Sequence, residues 1–529
     1  MRRRECLRSA VGAAGMAGLA TTVPPALGAD DASPSTNDRS PAGTGATTTR
    51  SDEFEPLAVA TLDSEAVAEA VTTPDGRWAF VATFTGFRVV DLADPASPEV
   101  VAGRDEVLPD EGPMANLKDV KYSRGRLLVA ADFNNAFMGV ALFDVRDPTD
   151  PVLRGAYRTG YGVHNCDLHG EYAYLTARDE LDVVSFRGDP DSVATWSVVD
   201  YDDGYADVPG SFRNLHDVYV QDGRAYLACL DAGTWILDVS DPADPAYVGH
   251  AADHSLSELQ SVPGEETRAF LYEPPGNSHY AQPSDDGTLL AVGREAWNVA
   301  SNDDQADDPG GPAGITLFDI SDASDPRRLA TVDPPPVPEG EPATRGGHWT
   351  TAHNFDIVGD YLYSSWYQGG VKVHDISDPA APEEGAHWRD GETTQFWTAQ
   401  AGVPGEYFVA SNYVNPSGGA DGVGLYVFPD PTDNRATVTP SGPTVPTPET
   451  PGPTPTASPT PIDSPTPTPT LTPRAGRPTT ASTPGGSSPD TTTTGGTDAT
   501  DADGPGFGPL AALAALGAGA WRAARGEGE

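Results

Sequence analysis

The chain has 529 residues and carries 78 acidic against 32 basic side chains, a formal net charge of −46. No basic stripe exists to neutralise phosphates, which excludes nucleic acid as a partner. Only three of the basic residues are lysines, Lys118, Lys121 and Lys372. So much negative charge strains a compact chain in dilute buffer and becomes a screened, strongly hydrated surface in molar salt, which points to a halophile.

The first 28 residues have a charged head, an apolar run of small residues and a small-residue exit near Gly28, the pattern of an export signal peptide. Arg3, Arg4, Cys6, Leu7 and Arg8 resemble the twin-arginine export motif, with Cys6 where that family has Phe. Removal of the signal leaves two cysteines, Cys166 and Cys229, too few for a disulfide framework and read as buried small hydrophobes. Residues 29–53 read as a disordered linker.

Residues 54–434 contain many short runs of Val, Ile, Leu, Phe, Tyr and Thr separated by turn residues, and no long amphipathic helix pattern. That pattern predicts an all-β domain. A corner phrase recurs: "VVDLADPASP", "LFDVRDPTDP", "ILDVSDPADP", "LFDISDASDP" and "VHDISDPAAP". Its landmarks are Asp91, Asp144, Ser185, Asp238, Asp319, Asp375 and Pro429, at intervals of 53, 41, 53, 81, 56 and 54 residues, the third and last being degenerate. A repeat of about this length with four strands is a propeller blade. The unit after Leu215 parses as "HDVYVQ", "RAYLACL", "TWILDV" and "AYVGHA", with an Asp-Gly hairpin after the first strand and an Asp-Pro corner after the third. Seven such first strands predict a seven-bladed β-propeller of four-stranded blades. "FEPLAVATLD" then reads as an orphan fourth strand that closes the ring against the last blade. The repeated phrases resemble the LVIVD-repeat family, over about 380 residues; the resemblance implies a propeller on a cell surface and implies no reaction.

Long connections at 197–214, 251–277, 297–313 and 331–351 all fall on the face that carries the joints between blades, which makes that face the expected binding face. Four blades open their innermost strand with a histidine, His164, His216, His279 and His353, expected at the mouth of the central channel. Imidazoles gathered there suit a transition metal. Alternatively they hydrogen-bond the neighbouring blade's backbone. Lys118 and Glu69 take the matching place in two other blades, as an anion or proton-transfer site, and His348 lies on an adjoining loop. Arg178, Asp231, Arg294 and Trp366, on the short loops after the second strands, are candidates for gripping an acidic or sugar-like ligand, or else pack between blades.

"SNDDQADDPGG" at 301–311 offers oxygen ligands but lacks the spacing of a calcium loop, and reads as a solvated acidic loop. No G-x-S-x-G elbow, phosphate-cradling glycine loop or Cys-x-x-Cys pair occurs, so hydrolase and nucleotide chemistry find no support. Residues 435–503 are mostly Thr, Pro, Ser and Gly, a disordered stalk. In 504–529, "PGFG" precedes a short apolar run and two arginines. The run is short for a membrane span of about 20 residues. The arrangement resembles the PGF-CTERM sorting signal, which implies cleavage by an archaeosortase and anchoring to the membrane by a C-terminal lipid. The expectation is an exported, surface-anchored binding module of a halophilic archaeon, its partner an extracellular or cell-surface protein or glycan. The alternative is an extracellular metal-dependent enzyme, such as an oxidoreductase, built on the histidine rim. The catalytic residues and the ligand are not legible in the sequence.

Overall fold

The structure, a computed structural model, describes residues 54–432 apart from 135, 300–309, 339, 340, 342 and 346. The expected signal, linker, stalk, sorting tail and most of the acidic loop at 301–311 lie outside the described residues.

Twenty-eight strands form seven four-stranded antiparallel sheets, each a meander in chain order except the last. Blades 1 to 6 run Val67–Arg104, Leu117–Arg158, Cys166–Ser197, Asp217–Ala251, Asn277–Val332 and Phe355–Trp388. Blade 7 comprises three strands within Phe396–Pro429, and its fourth is Ala58–Thr61. Ala58 pairs with Val427 and Thr61 with Gly424, so the amino-terminal strand closes the ring. The last blade is thereby spared an open outer edge beside its third strand.

The recurrent phrase is the corner between third and fourth strands in blades 1, 2, 4, 5 and 6. Each corner is built twice over by an aspartate that accepts from the backbone N–H two residues on. Asp238 takes that of Ser240 and Asp241 that of Ala243; Asp375 takes that of Ser377 and Asp378 that of Ala380. These are Asx turns, which explains why a residue with a short side-chain oxygen acceptor stands at both places. In degenerate blade 3 the Ser185 hydroxyl oxygen does the same for Arg187, and after blade 7 Asp430 does it for Thr432, one residue beyond the Pro429 landmark.

Successive strand residues face opposite sides of a sheet, so each blade feeds two joints. Leu127 and Val129 pack into the joint with blade 1, and Leu128 and Ala130 into the joint with blade 3. Trp235 and Leu237 face blade 3 while Ile236 faces blade 5. Seven apolar clusters result among the described residues, one for each joint. The innermost strands add a polar latch: Asp119 accepts from Cys166 N–H at 2.7 Å and Asp356 from Ala401 N–H at 3.0 Å, each reaching the next blade. Asp167 does the same with the N–H of Val220. Cys166 and Cys229 are free and buried, as expected.

Candidate functional site

The long connections gather on one face. Short helices Val198–Tyr201 and Gly210–Arg213 lie in one connection, Leu256–Ser261 and Thr267–Tyr272 in the next. Their apolar residues Phe212, Leu259 and Leu271 are buried in one cluster with Trp235 of blade 4.

At the channel mouth the four histidines meet. Ring centroids of His164 and His216 lie 4.8 Å apart, His216 stacks on His279 at 3.7 Å, and His279 and His353 lie at 5.2 Å. Trp397 continues the ring 4.3 Å from His353, and Lys118 lies 5.4 Å over the Trp397 ring. Lys118 also donates to the Tyr413 hydroxyl at 3.2 Å. The strands place these groups through irregular starts. The first-to-second strand register shifts around Lys118, His279 and Trp397, and such bulges re-aim a side chain.

Three of the histidines are anchored through Nδ1. His216 Nδ1 meets the carbonyl of His279 at 2.8 Å, His353 Nδ1 meets the carbonyl of Trp397, and His164 Nδ1 lies 2.9 Å from Asp132 Oδ2. The His279 ring has no hydrogen bond at either nitrogen, and its Nδ1 lies 3.4 Å from Glu295 Oε2. The ion-pair distance and the missing hydrogen bond are compatible, since the contact is long and misaligned. Burial lowers the pKa of His216 and His279 well below the usual imidazole range, with the neighbouring imidazoles adding to it. His353 is lowered to about 3 by burial, against the opposing Trp397 carbonyl. These three imidazoles are neutral at pH 7. Burial lifts Glu295 to about 7, opposed by Arg345 and by the Tyr367 hydroxyl, which donates to Oε1 at 3.2 Å. An aromatic wall adjoins this carboxyl: Tyr272 stacks on Trp297, Trp349 stacks on Tyr367, and Arg345 lies over both tryptophans.

The remaining expected residues divide. Glu69 is not at the rim; the register shifts between Val67 and Ala70, and Glu69 lies among the groups of the channel interior. There Asn354 donates to its Oε2 at 2.7 Å, and Lys121, Asp119 and Asp217 act on one another. Lys121 pairs with Asp119 at 3.0 Å. Trp366 is fully buried in the joint of blades 5 and 6, its Nε1 donating to Ser364, so it packs rather than grips a ligand. Arg294 is buried against Asp253 at 2.6 Å, a partner supplied by the connection before blade 5. Asp231 is buried with Oδ2 unpartnered, and burial holds its carboxyl well above the usual range with Arg294 opposing. Arg178 occupies the left-handed region, φ +63°, in a tight hairpin and is exposed. These loop residues therefore do not form one constellation with the histidines.

Trp397, Asp132, Glu295 and Tyr367 complete the rim. Trp397 holds the first-strand place that histidine holds in four other blades. Its signal lay in the register of the repeat rather than in the residue type.

The geometry defines a seven-bladed β-propeller with an imidazole-lined mouth on its long-loop face. The LVIVD repeat model matches at residues 75–103, 213–253 and 351–387, so the chain carries LVIVD repeats in blades 1, 4 and 6. No curated protein matches the chain in sequence. Among solved structures it is similar to the β-propeller domain of Cps50 (Swd1) from Myceliophteria thermophila, at 11% identity over 71% of this chain and 99% of that chain, with a TM-score of 0.48. U3-55K is 9% identical over 71% of this chain and 98% of that one, TM-score 0.46. The RRP9 WD40 repeats are 10% identical over 72% and 98%, TM-score 0.47.

Proposed function

We propose that the protein is an exported, C-terminally anchored surface module of a halophilic archaeal cell, binding an extracellular protein or glycan through the long-loop face of its propeller. The observation that carries the binding role is the rim itself. Lys118, four imidazoles and Trp397 from six different blades are brought to one mouth beside the wall of Trp297, Trp349 and Tyr367. Apolar faces gathered with a few placed polar groups are what ligand recognition uses, and exposed Phe84 and Phe133 stand on loops of the same face. The signal, stalk and tail motifs support export and anchoring. The alternative, an extracellular metal-dependent enzyme, depends on whether the rim takes up a metal.

Expression in a haloarchaeal host tests both parts. Full-length protein should stay with the membrane and be removed by protease added to intact cells, and a form ending at Asp503 should appear in the medium. Retention in the cytosol of both forms would overturn the localisation. The released form should rebind whole cells in molar salt, and Phe84→Ala with Phe133→Ala, two exposed aromatics on loops of the long-loop face, should weaken rebinding by roughly tenfold, as loss of an interface anchor does. Asp241→Ala with Asp378→Ala, on the corner face, should leave rebinding unchanged; equal effects of the two pairs would refute the assignment to the rim face.

A further inference from the structure

We infer that His164, His216, His279 and His353 form a binding site for a single first-row transition-metal ion, held through their Nε2 atoms. The site concerns the rim alone, and its test is independent of where the protein resides.

The orientation of the rings carries the inference. A carbonyl oxygen only accepts, so Nδ1 of His216 and of His353 must carry the proton, and Nε2 keeps the lone pair. Neither ring makes a hydrogen bond through Nε2 among the described residues. His164 Nδ1 is oriented by the Asp132 carboxylate, and His279 Nδ1 faces Glu295. Three of the four Nδ1 atoms thus contact an oxygen acceptor, two from the backbone and one from a carboxylate, while His279 Nδ1 has only the misaligned Glu295 oxygen at 3.4 Å. This is the outer-shell pattern that fixes tautomer and ring direction in metal-ligating histidines. Histidines placed merely to hold blades together would need the Nδ1 contacts and would gain nothing from four adjacent rings.

His279 supplies the independent observation. It is 5% exposed and neither nitrogen has a hydrogen bond, though buried polar atoms are ordinarily satisfied. Among the described residues no three His, Cys, Asp or Glu side chains already surround a common point. Uptake therefore requires a ring to turn, and His279 is the ring that no hydrogen bond holds. Neutral imidazole nitrogens select copper, zinc, nickel or ferrous iron over magnesium and calcium, whose oxygen ligands the acidic surface offers elsewhere.

The full-length protein, free of any purification tag, is stripped with chelator in molar salt, loaded with Cu(II) or Co(II) and desalted. One equivalent per chain should remain, with nitrogen hyperfine structure in the Cu(II) spectrum. His216→Ala with His353→Ala should abolish retention. Asp132→Ala should weaken it by roughly 10- to 100-fold, as outer-shell loss does. His279→Gln, which fills the same space, covers the case in which the alanine pair fails to fold, and should also lose the stoichiometric ion while keeping the wild-type circular dichroism. Substoichiometric metal, or equal retention in folded His279→Gln and wild type, would overturn the site.

Discussion

Lys121 shows what single residues contribute inside this ring. Burial would lower the ammonium's pKa, but Asp119, Glu69 and Asp217 outweigh it and hold it well above the usual range. The opposite holds for Glu69, which burial raises to about 7 with Lys121 opposing. The sign follows from proton counting: between pH 4.5 and about 7 the folded chain holds a proton on Glu69 that the unfolded chain has released, so stability falls as pH rises through that window. Each unit of the shift corresponds to about 1.4 kcal/mol, so removing the ionisable group changes the pH dependence by up to roughly 3 kcal/mol. Glu69→Gln should therefore gain stability relative to wild type on going from pH 4.5 to pH 8, by denaturant titration at constant salt. A difference that does not grow with pH would show that Glu69 ionises normally in the folded chain. None of this was visible in the sequence beyond the oddity of lysine and carboxylates inside otherwise apolar inner strands. Glu69 was aligned with the rim because a bulge adds a residue without leaving a mark in composition.

Strands and turns were more legible, because their determinants are local. Asp-Pro corners and Asp-Gly hairpins encode their own geometry in adjacent residues, so the phrase around Asp238 or Asp375 located a corner from the sequence alone. What escaped was partnership across the molecule. Trp366 and Arg294 look like loop residues in sequence, yet one is core between two blades and the other is paired with Asp253 from a separate connection. The closing strand lies between these cases: its pairing with Gly424–Pro429 is distant in sequence, but an unmatched fourth strand at one end and a missing one at the other imply each other. Deleting residues 54–62 removes that pairing and the burial of Phe54, Ala60 and Leu62. It also exposes the edge of the Gly424–Pro429 strand. The truncated chain should melt at lower temperature and form higher oligomers on size-exclusion chromatography, since an open apolar edge invites pairing. A monomer with unchanged melting would show that closure rests on the blade joints alone.

Over the whole propeller the corner face carries a charge that repeats from blade to blade. The corners carry exposed second aspartates, Asp94, Asp147, Asp241, Asp322 and Asp378, on the face opposite the rim. With a net charge of −46, the chain carries far more carboxylates than its basic residues neutralise. Repulsion between carboxylates of neighbouring corners acts through solvent and depends on screening. The Debye length falls from about 10 Å at 0.1 M salt to about 3 Å at 1 M, so nearly all of that relief comes below 1 M. Exclusion of salt from the surface, by contrast, strengthens burial progressively as concentration rises. Melting temperature in KCl should accordingly rise steeply to about 1 M and then flatten, whereas an uncharged osmolyte such as sucrose should give no steep first phase. Replacing the five second corner aspartates by Asn keeps a side-chain acceptor for each Asx turn and removes five charges. It should raise stability at low salt and reduce the first phase. A melting temperature that is flat below 1 M, or a first phase untouched in the five-fold variant, would mean that the charge on the corner face does not govern folding.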